Sequence, residues 1–211
     1  AGADTIDGGL GFDTATYFES ATGVVLNLAT GGSGGEAAGD VYIGIERVQG
    51  SNAGGDNITG SAANDQLFGY GGDDTLAGDG GNDLLVGDNG RDSLMGGEGN
   101  DALFGQNDAD TLDGGAGNDS VSGGAGDDIF IAGAGNDQFL GGDGTDTLQF
   151  SGSFTNYTVT ATADGHVVIE DLRSGHDGID TANLIERFAF TDGILDVQTM
   201  TFTASSPEAI I

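Results

Sequence analysis

The sequence lacks several features that would place it in a familiar class. Its 211 residues include no cysteine, no lysine and a single proline. Without cysteine, neither a disulfide framework nor a thiolate metal site can form. The chain has four arginines and 35 acidic residues, so its net charge is −31 at pH 7. Nucleic acids and anionic membranes require a basic footprint, and this chain has none. Its charge predicts cations as partners instead.

Long apolar segments are also missing. No run approaches the roughly 18 apolar residues of a membrane helix, and no N-terminal signal peptide is present. The first residues, "AGADTIDGG", contain no methionine and resemble the middle of a repeat, so we expect a fragment of a longer protein. An apolar content of 36% with 43 glycines would also suit an acidic disordered linker, and only periodicity distinguishes the two.

A nine-residue period runs from Gly60 to Gln149. Ten blocks follow one another without insertion or deletion, with glycine at nearly every first position and an apolar residue at every eighth. A disordered tract has no reason to keep this phase, so the stretch is predicted to be a folded solenoid. The sixth-position aspartates are Asp65, Asp74, Asp83, Asp92, Asp101, Asp110, Asp119, Asp128, Asp137 and Asp146.

A longer period of 18 residues lies over the first. The fifth position is asparagine only in alternate blocks, beginning with Asn64 and Asn82, so two nonapeptides form one coil. The first six residues of each block are predicted to form a turn, with glycine at the first and fourth positions permitting positive φ and close backbone approach. The last three form a short strand whose central side chain faces inward. The chain is therefore expected to be all-β, with about five coils stacked at roughly 4.8 Å.

Stacked aspartates require a cation between the coils. Turns on one edge come from alternate blocks, so Asp65 pairs with Asp83, and Asp74 with Asp92. Ten turns give eight such pairs, and eight Ca²⁺ would bring +16 against the net charge of −17 in this stretch. Calcium accepts six to eight oxygen ligands and tolerates mixed carboxylates and carbonyls, whereas magnesium demands a tighter octahedron. We therefore expect about eight calcium ions.

The blocks resemble the G-G-x-G-x-D-x-U-x nonapeptide of RTX (repeats-in-toxin) proteins. "GGAGNDSVS" (114–122) fits every informative position, and outlying copies occur at "GGLGFDTAT" (8–16) and "GHDGIDTAN" (175–183). The resemblance implies a right-handed parallel β-roll in which the sixth-position aspartates and the carbonyls of the first four positions bind Ca²⁺. Asp56, in the degenerate "GSNAGGDNIT" (50–59), is a candidate for a ninth ion, while Ala63 and Asp108 depart from the pattern at their fourth positions. The implied glycine ligands are Gly69, Gly72, Gly78, Gly81, Gly87, Gly90, Gly96, Gly99, Gly105, Gly114, Gly117, Gly123, Gly126, Gly135, Gly141 and Gly144.

The regions on either side of the repeats echo each other. "DVYIGIERV" (40–48) and "DTANLIERF" (180–188) share an Ile-Glu-Arg motif, interpreted as a structural ion pair in modules that extend or cap the roll. "YTVTATADGHVVIED" (157–171) predicts a hairpin turning at Asp164-Gly165. The predicted domains are an N-terminal β-rich module (1–59), the calcium-binding roll (60–149), a C-terminal β-rich cap (150–200) and a secretion-signal tail (201–211).

The resemblance further implies a secreted or cell-surface protein exported by a type I secretion machine, consistent with the acidic-then-apolar end "SSPEAII". The first functional hypothesis is a roll that folds on calcium outside the cell and supports secretion and folding of a larger exported protein. A second is a structural or adhesive surface or matrix protein. A third is the non-catalytic C-terminal domain of a secreted protease, lipase or epimerase. The upstream partner would accordingly be catalytic or adhesive.

Outward-facing residues offer one further clue. Phe68, Val86, Phe104 and Leu140 form an apolar stripe along one face, which either the flanks or a partner is expected to cover. No catalytic residues are predicted. Ser33 in "GGSGG" matches a nucleophile motif, but glycine is so frequent that the match carries little information, and no helix pattern follows. His166 and His176 show no zinc-binding spacing.

Overall fold

A computed structural model describes residues 2–163, 165–173, 178–199 and 201–204, which form strands, turns and two short 3₁₀ segments, Gly35–Ala37 and Phe154–Asn156. Successive repeats alternate between two sheets, and strands 18 residues apart pair in parallel. Leu85, for example, lies in register between Leu67 and Leu103. This pairing confirms the parallel β-roll and the two-nonapeptide coil.

The first large sheet has ten strands and carries the predicted apolar stripe. Its order, from the C-terminal end, is β18-β19-β20-β16-β14-β12-β10-β8-β6-β2. The strands are β2 (Thr14–Thr16), β6 (Arg47–Gln49), β8 (Gln66–Gly71), β10 (Leu84–Asn89), β12 (Ala102–Asn107), β14 (Ser120–Ala125), β16 (Gln138–Asp143), β18 (Tyr157–Ala161), β19 (Val167–Asp171) and β20 (Ile179–Asn183).

The second large sheet has eleven strands, in the order β23-β22-β21-β17-β15-β13-β11-β9-β7-β3-β4, and a separate parallel pair joins β1 to β5. The strands of this sheet are β3 (Val25–Asn27), β4 (Gly31–Gly34), β7 (Asn57–Ser61), β9 (Thr75–Gly80), β11 (Ser93–Glu98), β13 (Thr111–Ala116), β15 (Ile129–Ile131), β17 (Thr147–Gln149), β21 (Arg187–Phe190), β22 (Gly193–Asp196) and β23 (Thr201–Ala204). The separate pair is β1 (Thr5–Asp7) and β5 (Val41–Ile43).

Most repeat strands are twice as long as predicted. They continue through the first three positions of the following block, so the turn proper is short. The fourth-position glycines have positive φ, as expected, but the first-position glycines do not. In eight of the ten blocks the second position takes the left-handed conformation instead, even at Tyr70 (φ 76°) and Gln106 (φ 87°). The prediction of positive φ at the first position was therefore wrong. Glycine is needed there because a side chain would overlap neighbouring atoms.

The core is one column of side chains between the two sheets. Every eighth-position residue is buried, from Leu67 (0% exposed) to Leu148 (0% exposed). The flanks continue the column. β6 and β7 precede the five predicted coils in parallel register, and β20 and β21 follow them. Since the sheets cross residues 59 and 149 without a break, the division into domains stays a prediction.

Antiparallel strands complete the C-terminal end. β18 and β19 form the predicted hairpin, with Tyr157 opposite Asp171, and β21, β22 and β23 form a meander. Phe150, Tyr157 and Phe190 pack with ring centroids 5.0–5.2 Å apart beneath them. Asp164 of the predicted hairpin turn and His176 lie outside the described residues. Of the predicted secretion-signal tail, residues 201–204 form β23, and 205–211 lie outside the described residues.

Candidate metal centres

A ladder of buried aspartates runs along each edge of the roll. Every sixth-position aspartate of the repeats is at most 3% exposed. In all of them except Asp65, Oδ1 accepts the backbone N–H of the aspartate one coil earlier. Asp65 N–H donates to Asp83 Oδ1 over 2.7 Å, and Asp83 N–H donates to Asp101 Oδ1 over 2.8 Å. The same bond joins all eight pairs predicted from the sequence, at 2.7–2.9 Å.

The second carboxylate oxygen has no partner. Oδ2 is buried without a hydrogen bond in Asp74, Asp83, Asp92, Asp101, Asp110, Asp119, Asp128 and Asp146. A buried, unpaired polar atom costs on the order of 1–3 kcal/mol, and a charged one costs more. A repeated orphan of this kind marks a position for a ligand rather than a packing defect.

Glycine at the first position makes room for this oxygen. A Cβ added to Gly78 would overlap Oδ2 of Asp83 and lie 2.5 Å from the carbonyl oxygen of Gly96 in the next coil. The carbonyl and the carboxylate thus converge on the space that the glycine leaves. The coils also approach each other closely at the fourth position, since a Cβ on Gly90 would overlap the carbonyl of Gly72.

Burial changes the acidity of the aspartates. It raises the pKa of Asp74, Asp83 and Asp110 to about 7 and that of Asp92 and Asp146 to about 6, with neighbouring carboxylates adding to the shift in each. The backbone N–H bonds to Oδ1 oppose the shift without cancelling it. The carboxylates are therefore poised to hold either protons or a cation near neutral pH.

The chemistry of the donors fits calcium. The converging groups are carboxylate and carbonyl oxygens, which are hard ligands suited to Ca²⁺. No group of three or more His, Cys, Asp or Glu side chains comes together within the described residues. Carbonyls must therefore supply much of any coordination shell, which agrees with the glycine positions. Ligation by the individual aspartates and glycines named from the sequence stays a prediction.

The degenerate copies join the same ladders. Asp56 N–H donates to Asp74 Oδ1 over 2.7 Å, which places Asp56 one coil before the repeats, as its candidacy requires. Sequence reasoning did not include Asp180, whose Oδ1 accepts the N–H of Asp137 over 3.0 Å. The signal for it was the outlying copy at 175–183. Asp108 takes the glycine position with φ 71°, so it adopts the left-handed turn rather than abolishing it.

The asparagines form a second ladder, which runs in the opposite direction. Asn82 N–H donates to Asn64 Oδ1 over 2.7 Å, and Asn100 N–H donates to Asn82 Oδ1 over 2.7 Å. In the aspartate ladder the earlier coil donates, whereas here the later coil donates. Asparagine alternates in the sequence because this ladder runs along only one edge of the roll, and each coil contributes one residue to it.

The Ile-Glu-Arg motifs do not form the predicted ion pairs. Arg47 donates from Nε and Nη2 to Oε1 of Gln66 on the neighbouring strand, at 3.0 and 2.6 Å, and lies over the rings of Phe12 and Phe68. Among the described residues, neither motif pairs its glutamate with its arginine. The ion-pair interpretation was wrong, because each side chain has a different neighbour across the strands.

Comparison with known proteins agrees with this geometry. Four copies of a family model described as the RTX calcium-binding nonapeptide repeat match residues 1–15, 51–85, 86–121 and 113–148. No curated protein matches the chain. Among the described residues, no helix has the length and apolar character needed to cross a bilayer.

Proposed function

Because the chain belongs to the family of RTX calcium-binding nonapeptide repeats, we propose that its calcium-binding β-roll is a folding switch for an exported protein. The repeats would remain unfolded where calcium is scarce and fold where calcium is abundant. Export by a type I secretion machine and support for an upstream domain, catalytic or adhesive, belong to the same proposal. Proteins with these repeats are typically exported, which supports it.

One observation carries the proposal: the ladder of buried Oδ2 atoms without partners. Ionised carboxylates stacked in a dry interior repel one another and lack their hydration. Folding without a cation must bear that cost at every coil. A divalent cation that binds only the folded chain would offset this free-energy cost through mass action.

The residues that would hold the ions are the paired sixth-position aspartates and the carbonyls of the adjoining glycine turns. The eight predicted pairs support about eight ions. Asp56 and Asp180 extend the two ladders by one pair each. When bound, calcium supplies positive charge between coils. The chain's own contribution is to hold the carboxylates in register and to exclude water from them.

Affinity sets where the switch operates. Calcium sites of extracellular modules have dissociation constants of roughly 10⁻⁴–10⁻³ M. Sites in this range are empty at cytosolic calcium concentrations and filled outside the cell. The repeats would then leave the cell as an extended chain and fold on exit, which also opposes backward movement.

A calcium titration followed by far-UV circular dichroism tests the switch. The chain is expected to change cooperatively from coil to β structure at roughly 10⁻⁴–10⁻³ M calcium. Magnesium at the same concentrations should leave it as coil, because Mg²⁺ gives up its water ligands reluctantly. Full β structure after exhaustive chelation at pH 7.5 would contradict the proposal.

Substitution of one ladder aspartate should act in opposite directions with and without calcium. Asp110→Asn keeps the Oδ1 acceptor but removes a buried charge. We expect its calcium midpoint to rise about tenfold, a loss of about 1.4 kcal/mol. The calcium-free fold should instead gain stability, because a repelling carboxylate is gone. Asp127→Asn is the matched control, since Asp127 is exposed while its Oδ1 accepts a comparable N–H from Thr145. Equal effects of both substitutions would contradict the metal role.

The apolar stripe favours a second candidate function, in structural assembly or adhesion. Its N-terminal end is partly covered, because Arg47 lies over Phe68 and the ring of Phe18 meets that of Tyr70. Towards the other end, Leu140 is 42% exposed, and a groove of about 320 Å³ opens over Ser122 between Phe104 and Leu140. Analytical ultracentrifugation in calcium checks this candidate. Concentration-dependent multimers would favour it, and a monomer at every concentration would count against self-assembly.

A further inference from the structure

Two short turns, one near each end of the roll, break the repeat in the same way. Strand register places the six residues 8–13 opposite the three residues 44–46, since Asp7 pairs with Ile43 and Thr14 with Arg47. Near the C-terminal end, residues 141–146 face residues 184–186, because Leu140 pairs with Asn183 and Thr147 with Arg187. Each short turn ends at the glutamate of an Ile-Glu-Arg motif.

Both glutamates take the place of a ladder aspartate. Asp146 N–H donates to Oε2 of Glu186 over 2.9 Å, and Asp13 N–H donates to Oε2 of Glu46 over 2.9 Å. These are the bonds that Oδ1 accepts in a full repeat. The opposing glycines keep their role as well. A Cβ on Gly141 would overlap the carbonyl oxygen of Leu184 and Oδ2 of Asp146.

Next to each glutamate, a buried aspartate oxygen has no partner. Asp146 is 0% exposed, and its Oδ2 makes no hydrogen bond. Asp65 is 1% exposed, and its orphan is Oδ1, the atom that normally accepts an N–H from the preceding coil. The short turn withholds that N–H, since Glu46 N–H donates to the carbonyl of Asp13 over 3.2 Å. At this ladder position the preceding coil carries the carboxylate of Glu46.

Space for an ion exists beside Glu46. A cavity of about 230 Å³ lies between the short turn and the first turn of the repeats, lined by Tyr42, Gly44, Glu46, Ser61 and Ala63. Glu46 itself is only partly buried, so the cavity has access to solvent. Ala63 occupies a fourth position where the pattern calls for glycine, which made this turn doubtful as a repeat site.

We propose that the turns ending at Glu46 and Glu186 each complete a calcium site in which a glutamate carboxylate stands where the repeats use aspartate. The sites combine Glu46 with Asp65, and Glu186 with Asp146. They add two ions to those of the nonapeptide pairs. The inference rests on the proposed function, because it assigns calcium to ladders that the repeats define. It also gives the echoed motifs a role: they continue the metal ladders where a short turn replaces a full one.

Counting bound calcium in single variants tests the proposal. Glu46→Gln and Glu186→Gln retain an oxygen that can accept the ladder N–H but lose the negative charge. Each variant of the whole chain should bind one ion fewer than wild type in equilibrium dialysis with metal analysis, and the double variant two fewer. Glu36→Gln is the matched control, because Glu36 is exposed in the 3₁₀ segment Gly35–Ala37, outside the metal ladders, and should leave the count unchanged.

A local probe keeps the test decisive if a variant folds poorly. Tyr42 lines the cavity beside Glu46, so Tb³⁺ bound there should be sensitised by tyrosine excitation. Glu46→Gln should remove the emission component that Tyr42→Phe also removes. Calcium binding by wild type with unchanged counts in both glutamine variants would overturn the proposal and leave the proposed function intact. No calcium binding by wild type would overturn both.

Discussion

Without calcium, lowering the pH from 8 to about 4 is expected to fold the roll. Burial raises the pKa of Asp74, Asp83 and Asp110 to about 7 and that of Asp92 and Asp146 to about 6, whereas an aspartate in an unfolded chain titrates near 3.9. The folded chain thus binds protons more tightly than the unfolded one. Its stability is greatest below about pH 4 and is lost as the pH rises through 6 to 7.

Calcium is expected to reverse this dependence, because it would bind the ionised carboxylates that protons would neutralise. In saturating calcium the roll should be folded at pH 7.5, and the calcium midpoint should rise steeply as the pH falls below 6. Circular dichroism of the chelated chain between pH 8 and 4 measures the first effect. Light scattering is the necessary control, since the isoelectric point of about 4.1 favours precipitation. A chelated chain that stays coil at every pH would show that charge does not govern folding.

Gly78→Ala is expected to lower the melting temperature of the calcium-loaded roll by up to about 12 °C. The new methyl group would overlap Oδ2 of Asp83 and press on the carbonyl of Gly96, so carboxylate and coil must both move. Overpacking of this kind costs up to about 3 kcal/mol, and 1 kcal/mol corresponds to about 2–4 °C in a chain of this size. The φ of Gly78 is not in the left-handed range, so the loss would be purely steric.

Gly80→Ala is the matched control for that result, because Gly80 lies two residues further along the same strand, β9. A Cβ there would approach nothing closer than 3.9 Å, and the backbone is compatible with alanine. Its melting temperature should stay within about 2 °C of wild type, with a slight gain from the reduced freedom of the unfolded chain. Scanning calorimetry in saturating calcium compares the two. Equal melting temperatures for both variants would show that the space at Gly78 is not needed by the carboxylate of Asp83 and the carbonyl of Gly96.

Regular spacing allowed much of the roll to be predicted. An aspartate and an apolar residue every nine positions fix which side chains share an edge and which enter the core, so the pairs from Asp65 to Asp146 follow from counting. The alternation of asparagine fixed the coil at two blocks. These features are predictable because each coil repeats the contacts of the previous one.

The spacing of the repeats predicted nothing about the structure where the period changes. The turn that ends at Glu46 is three residues shorter than a full turn. Only the pairing of β6 with β2 shows that this glutamate belongs to a ladder. Backbone detail was equally hidden. Tyr70 and Asp79 have left-handed φ at a position whose residue type varies, and only the course of the chain around the edge requires it. The carboxylate oxygen that hydrogen bonds and the one that stays free could not be told apart from sequence either.

The two opposed ladders also determine how such a chain can change in length. Every ladder bond of the repeats joins residues 18 apart, whether the acceptor is Asp83 or Asn64. Duplication or loss of 18 residues therefore reproduces the existing contacts at the junction. Loss of nine would exchange the two edges beyond the junction and set asparagine turns over aspartate-rich ones, with Phe68 and its stripe crossing to the opposite sheet. We accordingly expect genetic variation in roll length to occur in whole coils, with the number of bound ions changing in steps of two.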